Sequence, residues 1–355
     1  MENFYKNKKV IITGHTGFKG SWMSFLLSEL GAKVTGIALV PNTSPALFDI
    51  LSLKDKVDSR IVDVRDLKKM KDIFDEVQPE IVIHMAAQPL VIDSYKNPVY
   101  TYDVNVMGTV NICECVRTHP SVKSFVNVTT DKVYQNNEWC YGYRENDRLN
   151  GFDPYSNSKS CSELVTDSYI KSFFHEQDVA VSRCRAGNVI GGGDFSENRI
   201  IPDCVKYTID NEAIKVRNPN STRPYQHVLE PVTFYLYLAM LQFKNKKYAG
   251  TYNIGPNEID CVTTGQIVSL FCDIWKENAQ WTATDYNGPH EANFLKLDCS
   301  KAKSLLSWQP IWHVENAIEK TVEWSKAYYS NEDIEKVTKS QINEYLGEMK
   351  KWKKC

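Results

Sequence analysis

An α/β protein built on a doubly wound parallel sheet, with a smaller mixed α/β lobe attached, is the fold class that three features of this sequence predict. Short β-branched runs alternate with amphipathic stretches through the first half, a glycine-rich turn follows the first run, and the rhythm breaks after about residue 190. With 355 residues the chain can form one large α/β unit or two modest domains, each with a sizeable core.

The runs "KVIITG", "AKVTGIAL", "RIVDV", "EIVIHMAA", "SFVNVTT" and "VAVSRCRAGNV" are nearly continuous in apolar residues. That is the mark of strands covered on both faces, as in a parallel sheet with crossover helices. From "VIGGGD" onward, mixed helices and short strands up to "VENAIEKTVEWSKAYYS" are too irregular to extend that sheet. Residues 191–330 are expected to form mainly a ligand-binding lobe over the strand ends, with a discontinuous boundary. The charged tail, 331–355, is expected to be a peripheral helix.

Forty-two basic and 44 acidic residues leave a formal charge of −2, and the only like-charged block is the short "KKWKK" at the end. No extended anionic partner such as nucleic acid is expected. Ten cysteines are scattered without CxxC spacing, and "MENFYKNKKVIITG" runs into a strand without the apolar core of a signal peptide. Reduced thiols in a cytoplasm are the expectation, and no apolar run approaches the roughly 20 residues of a membrane helix. Cys113 and Cys115 lie in a helical pattern without nearby His or Cys partners, so they are read as packing residues and no metal is expected.

"GHTGFKG" follows the first strand and opens the helix "SWMSFLLSEL". Glycines at such a turn let the backbone approach a pyrophosphate, and the free N–H groups and dipole of the helix start bind its charge. Gly14, Thr16, Gly17, Phe18 and Gly20 are the candidate contacts, which makes residues 1–190 a dinucleotide-binding domain. The second strand ends "GIALVPNTSP", with neither a carboxylate for an adenosine ribose nor an arginine for a 2′-phosphate. NAD is the expected cofactor, with NADP left open. Asp63, beside Val64 in "VDVRD", either hydrogen-bonds the adenine amine or caps the next helix.

"PYSNSKSCSEL" carries Tyr155 and Lys159 four apart on a helix, hence on one face. There an ammonium depresses the phenol's pKa and can hydrogen-bond a cofactor ribose. A free tyrosine ionises near pH 10, and a nearby cation lowers that by roughly one to three units, toward the range of a base at neutral pH. Such a pair is common as a plain surface contact. Its place downstream of a nucleotide-binding turn and of the strand-end "TTDKVY" is what marks it as catalytic.

Taken together, these strings resemble the extended short-chain dehydrogenase/reductases. The resemblance spans almost the whole chain, in "GHTGFKG", "HMAAQP", "NVMGT", "TTDKVY", "YSNSK" and "RAGNVIGGGD". It implies a triad of Thr130, Tyr155 and Lys159, with Thr130 hydrogen-bonding the substrate hydroxyl, and cofactor contacts at Val64, Ala86, Ala87, Gln88 and Asn105. Within the family, "GHTGFKGSW", "AQPLV", "PYSNSKSCSELV", "GNVIGGGD", "RPYQHVLEP" and "HEANFLKLDCSKA" are similar to the bacterial CDP-glucose 4,6-dehydratase subgroup. That similarity implies that Asn188, Arg199, Arg223, His227 and His290 hold a nucleotide sugar. Arg223 offers a planar fork suited to a diphosphate. The plainer alternatives are solvent-exposed arginines and, for Asn188 and His227, satisfied polar residues of the interior. "LVID" at Leu90–Asp93 stands where the family usually has "LVR", which leaves the contacts near Gln88 open.

The resemblance further implies a lyase of deoxysugar and lipopolysaccharide O-antigen biosynthesis. It oxidises carbon 4 of the glucosyl ring, eliminates water across carbons 5 and 6 and returns the hydride to carbon 6. Asp131 is then the acid for the carbon 6 hydroxyl. Lys132 stands where many relatives carry a glutamate base, although an ammonium has no lone pair with which to accept a proton. It is a neutral amine base, an ammonium stabilising the enolate, or a bystander turned to solvent by strand alternation. An epimerase of the same fold, or a dehydratase of another nucleotide sugar, shares Tyr155 and Lys159; a non-catalytic NAD-binding scaffold needs neither. Apolar positions on the helices after Asn105 and after Tyr155 predict a homodimer or a higher homo-oligomer.

Overall fold

The computed structural model describes residues 1–277, 279–285 and 292–352. The six alternating runs form β1 (Lys9–Thr13), β2 (Lys33–Ala38), β3 (Asp58–Ile61), β4 (Ile81–His84), β5 (Ser124–Thr130) and β6 (Ala180–Ala186). Short strands follow as β7 (Val189–Ile190), β8 (Ile214–Val216), β9 (Thr222–Arg223), β10 (Gln226–His227), β11 (Thr251–Ile254), β12 (Val262–Thr263) and β13 (Trp281–Ala283). The central sheet has seven strands in the order β11-β6-β5-β4-β1-β2-β3. Each neighbouring pair in it is parallel. The chain leaves β1 toward β2 yet later lays β4 on its other side, and a crevice opens at the strand ends where the order reverses.

Alternate residues of each strand feed two cores, as a side-chain period of two requires. Val10, Ile12, Ile81, Ile83, Val126 and Val128 pack on one face with the helices Phe18–Glu29 and Leu229–Lys244. Ile11, Val82 and Phe125 pack on the other with Leu67–Val77 and Gly108–Thr118. A third cluster, with Ile201, Val216, Ile267, Phe271 and Val322, fills the lobe.

Two expectations are corrected here. β11 lies beyond residue 190 and yet completes the sheet beside β6. β4 is as short and as fully buried, but it reads Ile-Val-Ile, whereas β11, Thr-Tyr-Asn-Ile, has no β-branched apolar run to mark it. The helix Leu229–Lys244 packs on the same sheet, so the boundary near residue 190 is discontinuous, and what β11 corrects is the expectation that the later segments are too irregular to extend the sheet. The C-terminal helix, Ile334–Trp352, is not peripheral either. Ile342, Tyr345 and Met349 are buried, and Tyr345 Oη donates to the buried Glu230 Oε2 at 2.7 Å. Its exposed charges, such as Glu335, Lys336, Lys339 and Glu344, share the other face of an amphipathic helix.

Among the described residues no helix is long and apolar enough to cross a membrane, and no group of three or more His, Cys, Asp or Glu side chains is arranged to hold a metal. Cys113 and Cys115 are free and buried in the second core.

Two glycines test the packing. A Cβ on Gly192 would lie 2.0 Å from the Trp324 ring, which is fixed by its bond to Thr338 and its stack on Tyr328. Gly192→Ala is therefore expected to destabilise the fold by about 1–3 kcal/mol. Gly347 lies inside the last helix, and a Cβ there would meet nothing within 4 Å. Gly347→Ala is expected to stabilise by roughly 0.5–1 kcal/mol, and denaturant titration of both variants measures the two changes.

Candidate active site

A cleft of about 1060 Å³ opens over the strand ends. One arm is lined by Gly14, Thr16, Gly17, Phe18 and Gly20 after β1, by Asp63 and Val64 after β3, and by Ala86, Ala87 and Gln88 after β4. Gly14 sits at φ +79, and a Cβ there would come within 2.8 Å of Ala86 N. At Gly20 a Cβ would lie 2.1 Å from Gly14 O, so only glycine lets the helix start this close to the strand. At Gly17 the same atom would meet only Gly14 O, at 3.5 Å, and otherwise enter open space. Gly17 is also the helix N-cap and makes no side-chain cap bond. The first-turn N–H groups of a helix have no intrahelical partner, and beside open space they fit a dinucleotide pyrophosphate.

Thr16 Oγ1 donates to Leu39 O at 2.9 Å, tying the turn to the end of β2. Asp63 does not cap the next helix; Asp66 does, accepting from Lys69 N. Arg65 instead grips Asp63 through its backbone N–H and its guanidinium, which holds the carboxyl below its usual range. Asn105 departs from its expected cofactor contact. It is buried outside the cleft lining, in a π-helical turn at Asp103–Met107. From there it accepts from Gln88 N at 2.8 Å and donates to Gln88 O at 3.1 Å and Ser158 Oγ at 2.9 Å. The π turn, a local widening common at functional sites, aims this amide at the loop behind the first arm of the cleft. Gln88 in turn exchanges two bonds with Leu90, of 2.6 and 3.1 Å, so the loop is closed despite its "LVID" sequence.

The helix Pro154–Ser172 starts at Asp153, whose carboxylate accepts from Ser156 N at 2.9 Å and Ser156 Oγ at 2.6 Å, with Pro154 in the first turn. That start sets Tyr155 in the cleft wall with Thr130, Asp131 and Lys132, where β5 ends. Lys159, one turn on, is buried behind the wall and donates to Val128 O at 3.2 Å. Burial, then the charge of Lys19, lowers its pKa to about 7. The expected depression of Tyr155 is not found: burial pushes the phenol up to about 12, against the pull of its hydrogen bond with Thr130 and of the Arg199 charge. The Lys159 donor goes to the strand carbonyl and its charge is not among those acting on the phenol, so desolvation decides.

Asp131 is 1% exposed. Its Oδ1 accepts from Thr130 Oγ1 at 2.9 Å, while Oδ2 has no partner. Burial raises its pKa, with Lys132, Thr130 and Arg223 opposing. A carboxyl with an orphaned, desolvated oxygen is held toward its protonated form. Lys132 lines the cleft, and the 3-10 turn Asp131–Val133 ends the strand's alternation there.

Asn188, Arg199 and Arg223 line the second arm. Arg199 pairs with Asp194 at 3.1 Å, and Arg223 donates to the carbonyls of Thr222 and Ala292. His227 does not join them. β10 pairs with β7 and carries its ring into the core, 5.9 Å from the Trp22 ring and 4.8 Å from that of Trp312, where burial lowers its pKa to about 3. His290 lies outside the described residues. Lys19, Asp194, Asp203, Lys215 and Arg217 also line the cleft and were not foreseen from the sequence. Lys19 stands inside the glycine motif, yet only the fold brings it to the charges of Arg199, Asp131 and Asp194; burial lowers its pKa to about 8.

The model of the GDP-mannose 4,6 dehydratase family matches residues 11–321. The chain is 46% identical over 351 residues to the CDP-glucose 4,6-dehydratase of Salmonella typhimurium, covering 97% of this chain and 98% of that protein. Among solved structures, UDP-glucuronic acid 4-epimerase from Bacillus cereus, in complex with UDP-glucuronic acid and NAD, aligns with a TM-score of 0.78 at 21% identity, over 90% of this chain and 99% of that one. The dTDP-glucose 4,6-dehydratase from Bacillus anthracis, in complex with NAD, aligns with a TM-score of 0.74 at 21% identity, over 90% and 96%. At these identities the structures speak to the fold alone.

The raised pKa of Asp131 has a sign that can be measured. Folding favours its neutral form, so the stability it lends is full below the unfolded carboxyl value of roughly 3.9 and is lost as pH rises through the raised one. Asp131→Asn is expected to raise Tm relative to the parent more at neutral pH than near pH 4. Equal differences at the two pH values would contradict the shift.

Proposed function

The chain belongs to the GDP-mannose 4,6 dehydratase family of extended short-chain dehydrogenase/reductases, and from that premise we propose that it is a hydro-lyase converting CDP-glucose to CDP-4-keto-6-deoxyglucose. Asp131 carries the reading: a buried carboxyl with a free oxygen, in the same wall as Tyr155, is an acid for a leaving hydroxyl. An epimerase of this fold has no leaving group to protonate. Identity of 46% over almost the full length supports the cytosine nucleotide.

NAD is the proposed cofactor, with its pyrophosphate at Gly14, Thr16, Gly17, Phe18 and Gly20, and its adenine at Asp63 and Val64. Ala86, Ala87 and Gln88 form the wall beside it. Bound there, the nicotinamide supplies the two-electron acceptor and donor of the reaction. Tyr155 would act as the phenolate, its own proton released to water before the step, and take the proton of the carbon 4 hydroxyl, which Thr130 aligns; the Lys159 ammonium one turn behind supports that charge. The resulting ketone acidifies carbon 5. Lys132 acts on that carbon's proton or on the enolate charge left behind, and Asp131 gives its proton to the departing carbon 6 hydroxyl. Asn188 and the guanidinium groups of Arg199 and Arg223 hold the sugar nucleotide, whose diphosphate matches their geometry. The product is a 6-deoxysugar nucleotide of the kind that O-antigen assembly draws on in the cytoplasm.

A homodimer is part of the same proposal. Of the two helices expected to pair, the one after Asn105 spends Ile112, Cys113, Cys115 and Val116 on its own second core and leaves Met107 at its start 47% exposed, while Leu164 on the helix after Tyr155 is 57% exposed. A closed twofold contact covers such faces. Leu164→Glu is expected to shift the parent dimer toward monomer in light scattering; a parent that is already monomeric contradicts the dimer.

The activity is tested by offering CDP-, dTDP-, GDP- and UDP-glucose separately and weighing the products. CDP-glucose is expected to lose one water. Turnover of another nucleotide sugar with CDP-glucose untouched overturns the nucleotide, and unchanged mass with inverted stereochemistry favours an epimerase. Lys132→Ala is expected to keep oxidation at carbon 4 but slow elimination by about 100- to 10,000-fold, so that the 4-keto glucose nucleotide accumulates. Lys132→Arg separates the two chemistries, because arginine keeps the charge and cannot be a base at neutral pH. Rescue assigns enolate stabilisation, and failure to rescue assigns the neutral amine.

A further inference from the structure

Behind the catalytic wall lies a charged pair that the proposed mechanism does not use. The side chains of Glu163 and Arg185 are 0% and 3% exposed, and neither residue lines the cleft. Arg185 Nε donates to Glu163 Oε1 at 2.7 Å and Nη2 to Oε2 at 2.5 Å. Desolvating two charges offsets most of what their attraction returns, so stability alone is a weak reason for such a pair.

Its connections lead to each segment that carries a proton-handling group. Glu163 lies one turn beyond Lys159 and two beyond Tyr155, along the same face of the helix. Thr129, the residue before Thr130, donates to Glu163 Oε1 at 2.6 Å. Arg185 stands directly beside Thr129 on β6. Its Nη1 donates to Tyr134 Oη at 2.7 Å and to Glu145 O at 3.0 Å, and its guanidinium lies 4.7 Å from the centre of the Tyr134 ring. Tyr134 follows the Asp131–Val133 turn directly and passes the tie on to Asn253 Oδ1 of β11 at 2.6 Å. The turn that carries Asp131 and Lys132 is therefore anchored before and after to one carboxylate on the helix of Tyr155.

We infer that Glu163 and Arg185 are positioning residues for both proton steps, setting the Thr130–Lys132 turn against Tyr155 and Lys159. They act through Thr129 and Tyr134 and touch no substrate. Glu163 is also the anion that counters the lowering of Lys159, so its charge bears on titration as well as geometry. The inference rests on the dehydratase reading, and its test keeps the two apart.

Glu163→Gln keeps an acceptor for Thr129 without the charge, while the double variant Glu163→Leu, Arg185→Met fills similar space with no charge. Apolar replacement of a whole buried pair commonly leaves a fold stable, so the double variant is expected to melt with the parent. Positioning predicts that it nevertheless loses about 10- to 100-fold in kcat, with KM within about twofold, because small displacements of reacting groups cost on that order. In Glu163→Gln the alkaline limb of the kcat profile is expected at lower pH, since Lys159 without its anion gives up its proton sooner. A double variant with parental melting and parental kcat overturns the inference, and so does a loss confined to KM. Turnover of CDP-glucose by the parent is measured alongside. Failure there removes the dehydratase reading and the inference with it, whereas an active parent matched by its variants removes only the positioning role.

Discussion

A helix that carries an amino group into the core has to be docked by hydrogen bonds, and the polar seam between the helix Pro154–Ser172 and the sheet is what the rest of this site depends on. The buried residues of that helix are Ser156, Ser158, Lys159, Ser160, Ser162, Glu163 and Thr166. Ser158 meets Asn105, Ser162 meets Thr109 and Asn127, Thr166 meets Asn127, and Ser160 bonds the Val133 carbonyl. Apolar packing tolerates small slips along a helix, but a row of directional bonds with buried partners does not, because each slip leaves a desolvated group unpaired. One register of the helix is thereby selected, and with it the place of Tyr155 beside the end of β5.

The same burial that demands this docking also tunes the site. Desolvation drives Tyr155 up, Lys159 down and Asp131 up, in each case toward the neutral form. For all three groups burial thus shifts the balance toward the uncharged form, behind a cleft whose second arm carries arginines. In the proposed reaction, charge brought in by a diphosphate and by a nicotinamide would act on groups with little solvent to screen it. There, oxidation and elimination would make opposite demands, a base at carbon 4 and an acid at carbon 6, which Tyr155 and Asp131 would meet from one wall.

What was legible in the sequence was mostly local. The six strands, the glycine turn and the Tyr155–Lys159 spacing each follow from a period or a steric need written in a few consecutive residues. β11 was not legible because Thr-Tyr-Asn-Ile lacks the apolar run that gave away the equally short β4. The inward side of the Ile334–Trp352 helix was masked by the charges of its outward side. His227 and Asn105 were misread because sharing a motif with site residues does not fix where a side chain points. A two-residue strand turned one inward, and a π turn aimed the other at a backbone. The polarity of the docked face of the helix Pro154–Ser172 lay open in "SNSKSCSE", but its meaning needed the partners on β5 and on the neighbouring helix.

That one seam serves both proton steps on a single bound sugar is tested most directly by the path of one hydrogen. CDP-glucose deuterated at carbon 4 is mixed with unlabelled CDP-glucose, and the product is read by mass spectrometry and NMR. Oxidation and elimination in one closed site predict deuterium at carbon 6 of the molecules that began with it, and none in the others. Label lost to bulk water, or shared among molecules that began without it, would contradict a single site that completes both steps before release.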